Sequence, residues 1–214
     1  MKLYNQTNWG YQYPQPFAPY YTLQPHQFQA TSQQNYSSLL NSLQGGGYIL
    51  YARHATANVG RDQPGLSFQD CYTQRNLSDT GRRQSIAYGE ALRRLRIPVS
   101  YPVGASPFCR TIETTTLAFG EENVQVEPFW IEIYNLSANL PPAEQNRILN
   151  YLHAIFEFQP PAGFNQVIIA HSFPPGVGLG QIPDMGTVIV RPRGQGNSYE
   201  IVAKLSLDEL MNLR

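Results

Sequence analysis

The sequence lacks an excess of charge of either sign. Its 15 Lys and Arg residues are balanced by 15 Asp and Glu residues, so the formal net charge at pH 7 is zero. Proteins that bind a long nucleic-acid backbone or an anionic membrane surface usually carry a clear positive excess. We therefore expect no nucleic-acid partner, and any anionic ligand must be bound by a local cluster of cations.

Long apolar runs are also missing. The first residues, MKLYNQTNWG, hold a single lysine and no apolar stretch of the length that a secretory signal or a membrane span requires. We expect no signal peptide and no membrane span. We therefore expect the protein in the cytoplasm, or in a surface layer that is assembled from the cytoplasm.

Cysteine is scarce, with only Cys71 and Cys109 in the chain. Two cysteines are too few for a disulfide framework, and they do not have the spacing of metal ligands. The expectation is two free, buried thiols. A bridge between them is the alternative, because separation along the chain does not tell how close two Cα atoms lie in space.

Acidic residues are absent from the first 61 positions. Residues 1–36 are rich in Tyr, Gln, Pro and Asn, which offer little for building an amphipathic element. We interpret this segment as an N-terminal extension, either a disordered or loosely docked tail or an adhesive segment that attaches to a surface layer. A short amphipathic helix over about residues 37–44 precedes three glycines, and residues 37–214 are expected to form one domain.

From Gly47 onward, short apolar runs alternate with helical patterns. This alternation predicts an α/β protein, a three-layer α/β/α sandwich with a mainly parallel sheet. The last two strands are expected to pair antiparallel at the sheet edge. The predicted strands cover residues 48–52, 102–105, 124–126, 165–170, 186–190 and 198–203, and the predicted helices cover about residues 78–95, 110–119 and 142–156.

Polar residues directly follow three of these strands. Arg53 and His54 come after the first strand, and His171 comes after the most apolar one. The segment 106–110, which ends in Arg110, follows the second strand. Open α/β sheets bind their ligands at the carboxyl ends of the strands. Two Arg and two His residues in one crevice favour a small, highly charged anion such as phosphate.

Four separated segments resemble those of one known family, the histidine phosphatase (phosphoglycerate-mutase-like) superfamily, and in particular a short bacterial phosphatase branch of it. They are YARHATAN (51–58), NLSDTGRRQ (76–84), SPFCRTIETT (106–115) and VIIAHS (167–172). The first resembles the family's Arg-His-Gly signature with Ala55 in place of the glycine. The resemblance implies a phosphoglycerate-mutase-like fold and the hydrolysis of phosphomonoesters.

The resemblance implies a phosphohistidine intermediate on His54. A neutral imidazole is a good nucleophile towards phosphorus at neutral pH. Arg53, Arg110 and His171 would hold the phosphoryl oxygens through the transition state. This chemistry requires no metal and no cofactor. The expected partner is a small phosphorylated substrate or inorganic phosphate, and the oligomeric state stays open.

The family also needs an acid to protonate the leaving group, and Glu132 best matches its position. Glu127 and Asp70 are the alternatives. Four further residues are expected as secondary contacts to phosphate or substrate: Arg75, Thr56, Asn58 and Ser172.

Two other functions fit the same residues. One is a non-catalytic surface-layer or phosphate-binding protein on the same fold. The other is a phosphotransferase of the phosphoglycerate-mutase type, which must keep water from its phosphohistidine under a lid. Only about 30 residues separate Glu132 from the strand that begins near Gln166, and one helix already occupies them. This makes a large lid, and so the mutase, the less favoured alternative.

Overall fold

The computed structural model describes residues 33–138 and 140–214 of the chain. It contains six strands and six α-helices within these residues. Two single-turn 3-10 helices, Cys71–Thr73 and Glu121–Asn123, accompany them. No helix in the described part is both long and apolar enough to cross a membrane. The elements are α1 (Gln33–Gly45), β1 (Ile49–Arg53), α2 (Asp79–Arg94), β2 (Val99–Ala105), α3 (Cys109–Phe119), β3 (Val124–Val126), α4 (Trp130–Asn135), α5 (Pro142–Phe156), β4 (Asn165–Ala170), β5 (Thr187–Pro192), β6 (Tyr199–Leu205) and α6 (Leu207–Met211).

The strands form one six-stranded sheet in the order β3-β2-β4-β1-β5-β6. The neighbours among β1 to β4 pair in parallel, whereas β5 pairs antiparallel with β1 and with β6. The predicted fold class is confirmed, including the antiparallel hairpin at one edge. Because β4 lies between β1 and β2, the carboxyl ends of three parallel strands meet in the middle of the sheet.

The alternation of side chains along the strands explains the two helical layers. Leu50 and Ala52 of β1 join a core with α1, α2, α3 and α6, whereas Ile49 and Tyr51 join a second core with α4 and α5. Successive side chains of a strand point to opposite faces of the sheet. Both faces are apolar, so each face needs its own cover of helices and the result is a three-layer sandwich.

The start of α2 has a local cause in the sequence. Ser78 caps it, because its side chain accepts a hydrogen bond from the backbone N–H of Gly81. A Cβ at position 81 would lie 2.0 Å from the carbonyl oxygen of Thr56, so only glycine allows this close approach. The contact fixes α2 against the chain that leaves β1.

The expectation of free thiols was wrong. Cys71 and Cys109 form a disulfide, with Cα atoms 5.8 Å apart although 38 positions separate them in the chain. The loop between β1 and α2 folds over the first turn of α3 and brings the two together. This arrangement is tertiary, so the spacing of the cysteines could not reveal it.

The first helix begins earlier than predicted. Helix α1 starts at Gln33, ahead of the helix expected over about residues 37–44 and within the proposed extension of residues 1–36. The rest of that extension, residues 1–32, lies outside the described residues. The short helices α4 and α6 had no counterpart in the sequence prediction.

Candidate active site

A cleft opens at the carboxyl ends of β1, β2 and β4. Arg53 and His54 reach it from the end of β1, His171 from the end of β4, and Arg110 from the first turn of α3. Six of the nine predicted site residues lie there together, and two unpredicted ones join them from α4 and the turn after it. The lining residues are Arg53, His54, Arg75, Arg110, Tyr134, Ser137, His171 and Ser172.

His54 is buried and held in one tautomer. Its Nδ1 lies 2.7 Å from the carbonyl oxygen of Ala55, which can only accept a hydrogen bond, so Nδ1 carries the proton. Nε2 therefore keeps its lone pair, and Arg110 Nε donates to it at 3.2 Å. Burial, followed by the charge of Arg110, lowers the pKa of His54 to about 3. The imidazole is neutral and nucleophilic at physiological pH.

His171 lies beside it, with the two ring centroids 5.6 Å apart. Its Nε2 is 3.0 Å from Ser106 Oγ, and its carbonyl oxygen accepts a 2.8 Å hydrogen bond from the buried hydroxyl of Tyr51. The aromatic ring of Phe108 meets the imidazole edge to face at 4.7 Å. Burial, with the charge of His54 next, holds the pKa of His171 well below its ordinary value.

Asp62 anchors Arg110, whose side chain is only 1 % exposed. The guanidinium donates from NH1 to Oδ1 at 2.9 Å and from NH2 to Oδ2 at 3.3 Å, a bidentate pairing. Oδ1 also accepts the backbone N–H of Arg75, and Oδ2 accepts the hydroxyl of Tyr134 at 3.0 Å. Burial raises the pKa of Asp62, but these hydrogen bonds outweigh it and hold the pKa below its usual value. Asp62 is therefore ionised.

Arg53 has its own carboxylate partner. Its NH2 lies 3.0 Å from Asp184 Oδ1, and its NH1 donates to the carbonyl oxygen of Ile182 at 3.0 Å. The hydroxyl of Thr56 donates to the other oxygen of Asp184 at 2.8 Å. Thr56 thus supports the partner of Arg53 and does not line the cleft itself. Ser172 does line it, and its Oγ accepts the backbone N–H of Ile182.

Arg75 differs from Arg53 and Arg110, because it has no carboxylate partner among the described residues. Within the part of the chain that the structure describes, its guanidinium forms no ion pair, and its Nε is buried without a hydrogen-bond partner. Three guanidinium groups and the two carboxylates Asp62 and Asp184 leave one net positive charge, since both histidines are neutral. An anion that enters the cleft meets an unpaired, partly buried charge.

Glu132 does not point into the cleft, contrary to expectation. It lies on α4 with its carboxylate towards α5, where Oε1 is 3.7 Å from an Arg147 nitrogen. Its other oxygen accepts a 3.3 Å hydrogen bond from Asn135. The apolar sequence around Glu132 forms a helix, and the helical period sends Tyr134 rather than Glu132 towards His171.

The two alternative acids are also elsewhere. Glu127 accepts a hydrogen bond from the indole of Trp130 at 3.0 Å, and burial raises its pKa, but it is not among the lining residues. Asp70 caps the 3-10 helix at Cys71–Thr73. Asn58 pairs through its backbone N–H with Asn76 and likewise stays outside the cleft.

Sequence reasoning missed Asp62, Asp184 and Tyr134. Asp62 carried one usable signal, because it is the first acidic residue of the chain and follows the Arg-His pair by eight positions. Asp184 and Tyr134 carried none, since each joins the site through loop or short-helix geometry.

The comparison with solved structures identifies the fold. No family model matches the chain, and no curated protein matches its sequence. Among solved structures, the protein histidine phosphatase SixA complexed with tungstate superposes with a TM-score of 0.50 at 15 % identity, over 76 % of this chain and 99 % of that one. Mycobacterial hydrolase 1 superposes with a TM-score of 0.50 at 16 % identity, over 73 % and 97 %. The chain has the histidine phosphatase, or phosphoglycerate-mutase-like, fold. Its described part spans nearly the whole length of both of these structures.

Proposed function

We propose that this protein hydrolyses phosphomonoesters through a phosphohistidine on His54, without the help of a metal. The observation that carries the proposal is the state of His54, a buried neutral imidazole in a cleft with one unpaired guanidinium, whose unprotonated Nε2 accepts a hydrogen bond from Arg110. A nucleophile and an anion site are combined there in one enclosure.

The first step is attack of His54 Nε2 on phosphorus. The Nδ1–H bond to the carbonyl of Ala55 keeps the ring in position and stabilises the positive charge that develops on it. Arg53 and Arg110, each fixed by its own aspartate, would direct their remaining N–H donors at the phosphoryl oxygens. Arg75 would neutralise the remaining charge. Water then displaces His54 from phosphorus and releases inorganic phosphate.

The fold likeness adds support of a general kind. One protein of this fold, named as a protein histidine phosphatase, has been solved with tungstate, a tetrahedral oxyanion shaped like phosphate. Fold alone does not determine function, so the weight of the proposal rests on the residues of the cleft. The substrate would be a small phosphorylated molecule or a phosphorylated protein side chain.

A second candidate is a phosphate-binding protein without turnover. One observation favours it: none of the three expected acids, Glu132, Glu127 and Asp70, lines the cleft. Such a protein would use the same arginines to bind the anion and would release no alcohol.

Phosphate release from p-nitrophenyl phosphate in excess chelator distinguishes the two candidates. We expect turnover by the native protein, loss of it in His54→Ala, and no loss in the control His153→Ala. His153 lies on α5 and pairs with Glu157, away from the cleft. Phosphate binding without turnover in the native protein would favour the second candidate.

A further inference from the structure

We infer that the hydroxyl of Tyr134 donates the proton to the leaving oxygen. This inference rests on the proposed hydrolysis through His54 and adds to it the residue that makes departure of a poor leaving group possible. The departing oxygen needs a proton, so a group near the nucleophile must carry one that it can donate.

The carboxyl groups near the cleft do not meet this need. No carboxyl belongs to the side chains that line it within the described residues. Asp62 and Asp184 lie just behind the lining, but each is ion-paired with an arginine. A carboxylate that accepts two guanidinium hydrogen bonds, as Asp62 does, stays ionised and has no proton to donate.

Tyr134 is held in the cleft by contacts with three neighbouring residues. Its ring packs against Phe108 at 4.6 Å and against the imidazole of His171 at 5.4 Å, and the guanidinium carbon of Arg110 lies 5.5 Å from the ring centre. Its hydroxyl donates a hydrogen bond to Asp62. Asp62 also accepts from Arg110, which donates in turn to His54 Nε2. The residue lines the cleft and is 36 % exposed, so it lies at the border between the cleft and the solvent, into which a leaving group departs.

The phenol has suitable acid strength for an alkoxide. Burial, with the hydrogen bond to Asp62, raises the pKa of Tyr134, so the hydroxyl is protonated over the whole physiological range. An alkoxide is a stronger base than a phenolate and takes the proton readily. The phenolate that remains lies beside the charges of Arg110 and Arg75, which offset part of its repulsion from Asp62.

The proton and electron balance closes over two steps. As His54 Nε2 bonds to phosphorus, the bond between phosphorus and the ester oxygen breaks, and its electron pair stays on that oxygen. The Tyr134 hydroxyl turns from Asp62 to this oxygen and gives it the proton, and the oxygen leaves as an alcohol. Water then attacks phosphorus, the pair of the breaking N–P bond returns to Nε2, and the water proton restores the Tyr134 hydroxyl. The net reaction is ester plus water to alcohol plus phosphate.

The test compares Tyr134→Phe with the native protein on two substrates, p-nitrophenyl phosphate and an alkyl phosphate such as glycerol phosphate. A nitrophenolate leaves without a proton, whereas an alkoxide requires one. We expect the ratio of alkyl to aryl kcat/KM to fall by about 10²–10⁴-fold in Tyr134→Phe. The matched control is Tyr72→Phe, which removes a hydroxyl from a residue that is 91 % exposed, and it should leave the ratio unchanged.

An unchanged ratio in Tyr134→Phe overturns the inference. Equal losses on both substrates would mean that Tyr134 acts only by holding Asp62. The ratio does not depend on the folded fraction, so it remains valid if the variant is less stable. Two other results would contradict the proposed hydrolysis itself. Either His54→Ala would still hydrolyse p-nitrophenyl phosphate, or the native protein would not hydrolyse it.

Discussion

At the scale of single residues, the proposed chemistry depends on His54. It differs from an ordinary histidine in two ways, since a carbonyl fixes its tautomer and burial removes its charge. A protonated imidazole cannot attack phosphorus, so only the neutral fraction is active. That fraction is large at every pH above the pKa and is lost only as the pH falls through about 3.

This state predicts the pH dependence of turnover. We expect kcat for p-nitrophenyl phosphate to show no acid-side loss near 6.5, the ordinary pKa of histidine. The measurement is a kcat profile in constant-ionic-strength buffers from about pH 5 to pH 8. A fall to half activity near pH 6.5 on acidification would contradict the assigned state of His54.

Arg75 should contribute mainly to anion binding. Because its guanidinium is the cation without a carboxylate partner, Arg75→Ala should raise KM and weaken inhibition by inorganic phosphate by roughly 10-fold or more, the range of one lost charge-assisted hydrogen bond. Inhibition curves for Arg75→Ala and for the control Arg83→Ala measure this directly. Arg83 is exposed on α2, where its guanidinium donates a hydrogen bond to Thr80, and it does not line the cleft, so its removal should change neither value.

Asp62 is a positioning residue in this account, because it acts through Arg110. Asp62→Asn keeps the shape of the side chain but removes the bidentate ion pair, so we expect kcat to fall by roughly 10²-fold through displacement of the guanidinium. Thermal unfolding of the same sample tests whether the protein is still folded. We expect Asp62→Glu to restore kcat in part. A fully active Asp62→Asn variant would refute the positioning role of Asp62.

At the scale of elements, the sequence was informative wherever a local pattern decides the structure. Helix α5 and strands β3 and β4 have the predicted ends, and Ser78 caps α2, whose helix was predicted to start there. These follow from apolar periodicity and from a side chain that bonds its own backbone. Helix α4 is only six residues long, too short for a period to be visible, and its omission put Glu132 in the wrong place.

The loop between β1 and α2 is the element that the sequence left undefined. It carries Asp62 and Arg75, and the disulfide from Cys71 ties it to the first turn of α3, next to Arg110. A second tie is the hydrogen bond from the backbone N–H of Cys109 to the Gln74 side chain. The disulfide therefore stabilises the part of the fold that assembles the anion site.

Reduction should accordingly affect both stability and activity. A disulfide that closes a loop of this length contributes about 2–4 kcal/mol to the free energy of unfolding. We expect reductant to lower the denaturant midpoint and kcat/KM of the native protein. The double variant Cys71→Ser/Cys109→Ser should show the same lowered values and no further response to reductant. If both thiols titrate as free and the denaturant midpoint is nevertheless unchanged, the disulfide does not stabilise the fold.

At the scale of the whole molecule, the net charge differs from the charge of the cleft. Zero net charge of the chain coexists with a cleft that holds one excess positive charge. The proposed anion site was predicted from the arginines that follow strands, because the net charge gives no sign of it. The four residues Arg53, His54, Arg110 and His171 do meet in the structure. Their aspartate partners could not be foreseen, because those contacts depend on loop paths.

The disulfide also bears on where the protein functions. Disulfides persist mainly in oxidising surroundings and are rare in the cytoplasm. The Cys71–Cys109 bridge therefore favours the surface-layer alternative over the cytoplasmic one. The location stays a prediction, as does the role of residues 1–32.

The central claim is that phosphate passes through His54. The most direct test is rapid acid-labile phosphate trapping: the protein is mixed with a radiolabelled aryl phosphate, quenched in alkali and digested, and the labelled peptide is sequenced. We predict one alkali-stable, acid-labile phosphate on the peptide that contains His54, and none in His54→Ala. Turnover with no label on that peptide, or label on His171 instead, would contradict the account.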